Sequence, residues 1–145
     1  MKVMVAYDGT LQAKEALVYG MDKARENGGE VIALHVFNNR MFIDYDANVD
    51  AEAIARRESA RFVEEAKTLI REKSNGVHAS LFTSEGNPEE EVISFAKASQ
   101  ADVLLCPPKF KGIIDTYQKA LGQIEMAGEV DKMNVAVLST KTKQG

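Results

Sequence analysis

Met1-Lys-Val-Met-Val-Ala-Tyr-Asp-Gly-Thr10 decides the fold. Its apolar run, Val3 to Tyr7, stops abruptly on Asp8-Gly9-Thr10, and an alanine-rich helical pattern begins at once. A strand that ends on an acidic turn and feeds straight into a helix is how a mononucleotide-binding α/β domain opens. An apolar run without polar alternation suits a strand buried on both faces, as in a parallel sheet covered by helices. Behind it, Ala13, Ala16, Leu17, Gly20, Met21 and Ala24 recur at helical spacing, with Thr10 placed to cap the helix. Asn27-Gly28-Gly29 then stops it.

The same alternation continues outward. Val31 to Phe37 reads as a second strand, and the polar stretch Asn38 to Asn48, with Tyr45 between Asp44 and Asp46, as a mobile loop. From Val49 to Lys73 a long helix is predicted. Its apolar face is set by Val49, Ala53, Ala60, Val63, Ala66 and Ile70, and Arg61 with Glu65 and Glu64 with Lys67 pair along its wet side. After Asn75-Gly76, Val77 to Thr83 is a strand nearer the sheet edge. Asn87-Pro88-Glu-Glu-Glu91 starts the next helix: Asn87 caps, Pro88 suits the first position, and the three carboxylates favour the positive end of the helix dipole. That accounts for the acidic cluster without catalysis. Ala101 to Cys106 is a fourth strand, closed by Pro107-Pro108, which donate nothing to a ladder. A last helix from about Asp115 to Gly128 and a fifth strand from Asn134 to Ser139 complete the chain, before a basic tail at Lys141 and Lys143. Strands alternating with helices imply a parallel sheet with right-handed crossovers. Ligands then bind beyond the carboxyl ends of the strands, the edge that holds Asp8, Gly9, Phe37, Asn38, Cys106 and Pro107.

Composition removes several classes of function. The 145 residues, 45% hydrophobic, suit one domain over residues 1–145. A net charge of −4 argues against nucleic acid as a partner. The single Cys106 cannot form an internal disulfide, and no secretory pattern is present, so the expectation is a soluble, cytoplasmic protein. No run approaches the roughly 20 apolar residues of a membrane span, and no Cys/His cluster has metal-ligand spacing. A Gly-Lys-Ser/Thr phosphate loop and a recognisable nucleophile-base set are also missing, so no enzyme is expected. His35, opposite Val36 on its strand, reads as a packed core histidine, and Cys106 as a small apolar strand residue.

Val5-Ala-Tyr-Asp-Gly-Thr10, Leu34-His-Val36, Gly86-Asn-Pro88 with its Glu/Val/Ile helix, Ala101-Asp-Val-Leu-Leu105 and Asn134 to Leu138 together resemble the universal stress protein family, in order and over nearly the whole chain. The resemblance implies a doubly wound fold with five parallel strands in the order 3-2-1-4-5, helices on both faces, and a homodimer joined through the C-terminal strand. An apolar outer strand at Val135 to Leu138 would be covered by its copy. It also implies that Asp8 contacts a nucleoside and that the backbone of Val36 meets the base, with Gly9 in the turn between strand and helix.

In the nucleotide-binding branch of that family the fourth strand runs into Gly-x-x-Gly, followed nine residues later by Gly-Ser or Gly-Thr. Glycines there let backbone N–H groups approach phosphates. This chain has Pro107-Pro-Lys-Phe110 instead, and only Gly122-Gln123, shifted by two residues and without the hydroxyl. Asp8 therefore has two roles open to it, nucleoside contact or the local ordering of its turn. Lys109 and Lys111, with Gly112 behind them, are either a solvated basic loop or point charges that replace the lost backbone donors. Tyr117 is either core or cleft wall. The expected function is a non-enzymatic stress-response or regulatory protein without cofactor, acting on a protein partner or small ligand. The alternative is a protein that binds ATP or AMP through Asp8, Val36 and the lysine loop.

Overall fold

The computed structural model describes residues 1–42 and 49–106, together with the backbone of two strands, Ile124–Val130 and Met133–Leu138. Strand β1, Lys2–Ala6, is followed by helix α1, Leu11–Asn27, strand β2, Glu30–Phe37, and a short 3₁₀ turn, Asn39–Phe42. Helix α2 spans Val49–Lys73, β3 His78–Glu85, α3 Pro88–Ser99 and β4 Val103–Cys106, and the two C-terminal strands are β5 and β6.

Helices α1 and α3 are capped by residues that their sequences supply. The Thr10 side chain accepts a hydrogen bond from the Ala13 amide, and Gly28 at φ +67° closes α1 by donating its N–H to the Ala24 carbonyl. The Asn87 side chain accepts from the Glu90 amide with Pro88 in the first turn behind it.

The sheet order is β3-β2-β1-β4-β6-β5. The first four are parallel neighbours, Val3 facing Val31 on one side and Val103 on the other. Strict alternation divides β1 between two cores. Val3, Val5 and Tyr7 face α1 and α2 together with Val31 and Ala33, whereas Met4 and Ala6 face α3 together with Ile32, Leu34, Leu104 and Cys106. Val3 to Ala6 of β1 and Tyr7 just after it are at most 2% exposed, so the run that opened the sequence lies at the centre of the molecule.

The C-terminal end corrects two expectations. The parallel sheet has four strands in the order 3-2-1-4 rather than five: β6 lies antiparallel to β4, and β5 antiparallel to β6. The helix read as far as Gly128 is overturned from Ile124 onward, where the chain is strand. Ile124-Glu-Met126 and Glu129-Val130 alternate with period two, a β pattern that the helix reading overlooked. Only residues 131 and 132 separate the strands, a link too short for anything but an antiparallel hairpin. β5 thus keeps the direction of β4 but one place further out, and its return strand β6 fills the gap.

Helix α2 keeps Ala66 and Ile70 of the expected stripe on its inner side, but not Ala53 and Ala60. Its inner stripe runs through Phe62, Ala66, Leu69 and Ile70, while Ala53 and Ala60 are exposed. The two expected ion pairs on its outer side are present, Arg61 to Glu65 at 3.1 Å and Lys67 to Glu64 at 3.6 Å.

Candidate functional site

The carboxyl ends of β1 and β2 open into a cavity of about 480 Å³ between α2 and the start of α3. Its floor is Tyr7, Asp8, Leu34 and Val36, and its walls come from Met41, Ile54, Phe62, Pro88 and Val92. Asp8 and Glu58 both line it, and no lysine or arginine does so among the described residues. Met41 and Ile54 are 63% and 57% exposed, so the rim is apolar as well as open.

Asp8 orders the turn. Its Oδ1 accepts from the Thr10 amide at 3.1 Å and from the Thr10 hydroxyl at 2.6 Å, and that hydroxyl oxygen in turn accepts from the Ala13 amide at 3.1 Å. One carboxylate therefore orients the residue that caps α1. The local role weighed for Asp8 is present in the structure, and the residue still faces the cavity. Gly9 adopts φ +81°, and a β-carbon there would lie 2.3 Å from Cγ of Phe62. Glycine is required on both counts.

His35 and Val36 point to opposite sides of β2, as their positions predict. Val36 packs with the α3 core and lines the cavity. His35 is 6% exposed, with Nδ1 3.0 Å from the Tyr7 carbonyl oxygen and Nε2 2.6 Å from the Ser59 hydroxyl on α2. The rings of Tyr7 and Phe62 meet it edge-on, with centroids 6.5 and 6.1 Å away. Burial, then the nearby carboxylates of Glu65 and Asp8, push the Tyr7 phenol up to about 12.

Beyond the cavity, Arg56 forks onto Glu85 at 3.0 and 3.1 Å, bonds Glu52 at 2.9 Å, and lies over the Phe37 ring at 4.4 Å. Hydrogen bonding by Arg56 holds the Glu85 carboxyl below the usual carboxylate range. On the other side of the sheet, burial pushes the Cys106 thiol up to about 12, which fits an inert strand residue.

The structure brings Asp8, Gly9 and Val36 together at one sheet edge. Lys109, Lys111, Gly112, Tyr117 and Gly122, the Pro107–Phe110 turn and the loop of residues 43–48 lie outside the described residues. Sequence reasoning missed Ser59, Phe62 and Ile54: the expected stripe on α2 shares Ala66 and Ile70 with the observed one, but toward the start of the helix it ran through Ala53 and Ala60, which are exposed. A histidine in an otherwise apolar strand was the available clue, since a buried imidazole needs a partner on the layer that covers it. No group of three or more His, Cys, Asp or Glu among the described residues could hold a metal ion, and no described helix is long and apolar enough to cross a membrane.

The fold has known relatives. A universal stress protein of Methanocaldococcus jannaschii is 25% identical over 107 residues, which cover 72% of this chain and 62% of that protein, so the match spans less than two thirds of its length. The crystal structure of a universal stress protein family member from Burkholderia pseudomallei superposes with a TM-score of 0.62 at 18% identity, covering 82% of this chain and 88% of the other. A universal stress protein from Archaeoglobus fulgidus in complex with dAMP does so with a TM-score of 0.55 at 18% identity, covering 80% and 86%. At such identities the two structures establish the α/β, Rossmann-like fold. The sequence profile of the universal stress protein family matches residues 1–110, and this chain belongs to that family.

Proposed function

We propose that this chain is a non-enzymatic stress-response or regulatory protein whose nucleotide site has lost its phosphate-holding half. One observation carries the reading: the described lining of the cavity holds two carboxylates, Asp8 and Glu58, and no cation. A nucleoside phosphate entering it meets repulsion on the described side. The sequence beyond β4, Pro107-Pro-Lys-Phe110, supplies neither of the glycines that would let backbone donors approach a phosphate. Equilibrium dialysis with labelled ATP at physiological salt tests this. The expected result is no tight, stoichiometric binding and no release of inorganic phosphate above a blank; tight binding at one nucleotide per chain would overturn it.

A second reading has specific support. The cavity lies at the sheet edge where Asp8 and Val36 were expected to meet a nucleoside, and the Archaeoglobus fulgidus relative is described with dAMP bound. ATP or AMP would then be held by Asp8, Gly9 and Val36 at the nucleoside and by Lys109, Lys111, Gly112 and Gly122 at the phosphates. Reversing both lysine charges with K109E/K111E should abolish such binding, and an unchanged affinity would refute it.

The proposal includes a cytoplasmic homodimer joined through the C-terminal strands. The outer-strand role expected for Val135 to Leu138 is corrected, because β6 is paired on both sides, by β4 and β5; the seam is moved to β5, Ile124–Val130, the last strand of the sheet among the described residues.

A further inference from the structure

We propose that Ser59 is a site of covalent acylation that takes a short apolar acyl group from an activated ester or thioester, with His35 as its base. The proposal is independent of whether a nucleotide binds. Its geometry starts from a carbonyl oxygen, which can only accept a hydrogen bond. With the Tyr7 carbonyl 3.0 Å from Nδ1, the neutral His35 ring carries its proton there. Nε2 is left with its lone pair directed at the Ser59 hydroxyl 2.6 Å away, which donates to it. This is the relation of base to nucleophile, with a third group fixing the tautomer of the base. Packing between the Tyr7 and Phe62 rings holds the imidazole in that orientation.

The pair is not sealed in the core. His35 and Ser59 line the main cavity and also a second one of about 430 Å³ between α2 and the ends of β2 and β3. The main cavity offers an acyl chain apolar walls from Leu34, Val36, Ile54, Phe62 and Val92. Asn38, whose Oδ1 accepts from the Arg40 amide at 3.2 Å, also lines this cavity, and its side-chain amide belongs to the donor class that suits the oxygen of an attacked carbonyl.

In the step itself, Ser59 Oγ attacks the acyl carbon and its proton passes to His35 Nε2. The carbon–oxygen or carbon–sulfur bond to the leaving group breaks, and that group departs with the proton as an alcohol, phenol or thiol. Ser59 is left as an acyl ester and the imidazole returns to its neutral state. No oxidant, reductant or metal is needed.

The test uses the full chain with p-nitrophenyl hexanoate and p-nitrophenyl acetate, read by p-nitrophenolate release, intact mass and peptide mapping. The expected result is one acyl group per chain, mapped to Ser59 and lost in Ser59→Ala, which removes only a hydroxyl from a half-buried position. Hexanoate should react at least ~10-fold faster than acetate, because its four extra methylenes are each worth roughly a fourfold gain when buried. Absence of label, or label on lysines to the same extent in Ser59→Ala, would overturn the proposal. Equal rates for the two esters would overturn the placement of the chain in the cavity, and Ser59→Cys, which keeps a nucleophile beside the same base, should remain acylated.

Discussion

The Phe62 ring is seated directly on Gly9: a β-carbon at position 9 would lie 2.3 Å from its Cγ, and the backbone there is already at φ +81°. Helix α2 is thereby locked to the turn where β1 hands the chain to α1. The same ring meets His35 edge-on at 6.1 Å and walls the cavity. One aromatic side chain thus couples the strand-to-helix turn, the buried histidine and the site.

Gly9→Ala should lose about 2–4 kcal/mol, the positive φ accounting for about 1–3 of it and the displaced ring for the rest. In a Phe62→Ala background the loss should shrink to the backbone part alone. Urea unfolding of the double-mutant cycle measures the difference; additive losses would show that the ring does not bear on the turn.

Asp8→Ala removes two hydrogen bonds to Thr10, one of them to the hydroxyl that caps α1. The expected cost is about 1–2 kcal/mol in thermal melts, and the share carried by the hydroxyl should vanish once Thr10 is itself alanine, which keeps only the backbone amide. A full-sized loss in the Thr10→Ala background would mean that Asp8 stabilises the fold by another route.

Lys14 bonds Glu65 at 3.1 Å between α1 and α2, and Arg56 bonds Glu85 between α2 and β3. Hydrogen bonding from Lys14, then Arg61, holds the Glu65 carboxyl below its ordinary value, as Arg56 does for Glu85. A depressed folded-state value stabilises above the unfolded value, about 4.3, and the gain is lost as pH falls through the folded one. Glu65→Gln and Glu85→Gln should therefore flatten the acid limb of stability against pH. Curves parallel to that of the parent protein would contradict the assignment.

Cys106 is fully buried with its thiol pushed up to about 12. It should be unreactive to a thiol reagent at pH 8 in the native protein and react stoichiometrically in denaturant. Rapid native labelling would mean that β4 opens on the reagent's timescale.

The first three strands and the caps of α1 and α3 were legible because local rules govern them. Val3 to Tyr7 has no polar residue to allow an alternative, and Thr10, Gly28 and Asn87 each have a single role at a helix end. The C-terminal hairpin was not legible. Gly128 interrupts the alternation of β5, so the period-two pattern of Ile124-Glu-Met126 was too short to displace the helix expected from about Asp115 to Gly128. The candidate site was half legible. Asp8, Gly9 and Val36 follow from their strand ends, whereas Ser59 and Phe62 depend on the rotation of α2, which tertiary packing against His35 and Gly9 decides.

The most direct test of the central claim, a site that has lost its hold on phosphate, is native mass spectrometry of the purified protein with and without added ATP and AMP. The account predicts a homodimer whose mass is that of two empty chains, unchanged by either nucleotide. One nucleotide per chain, co-purified or added, would contradict it and give the phosphate role to Lys109 and Lys111.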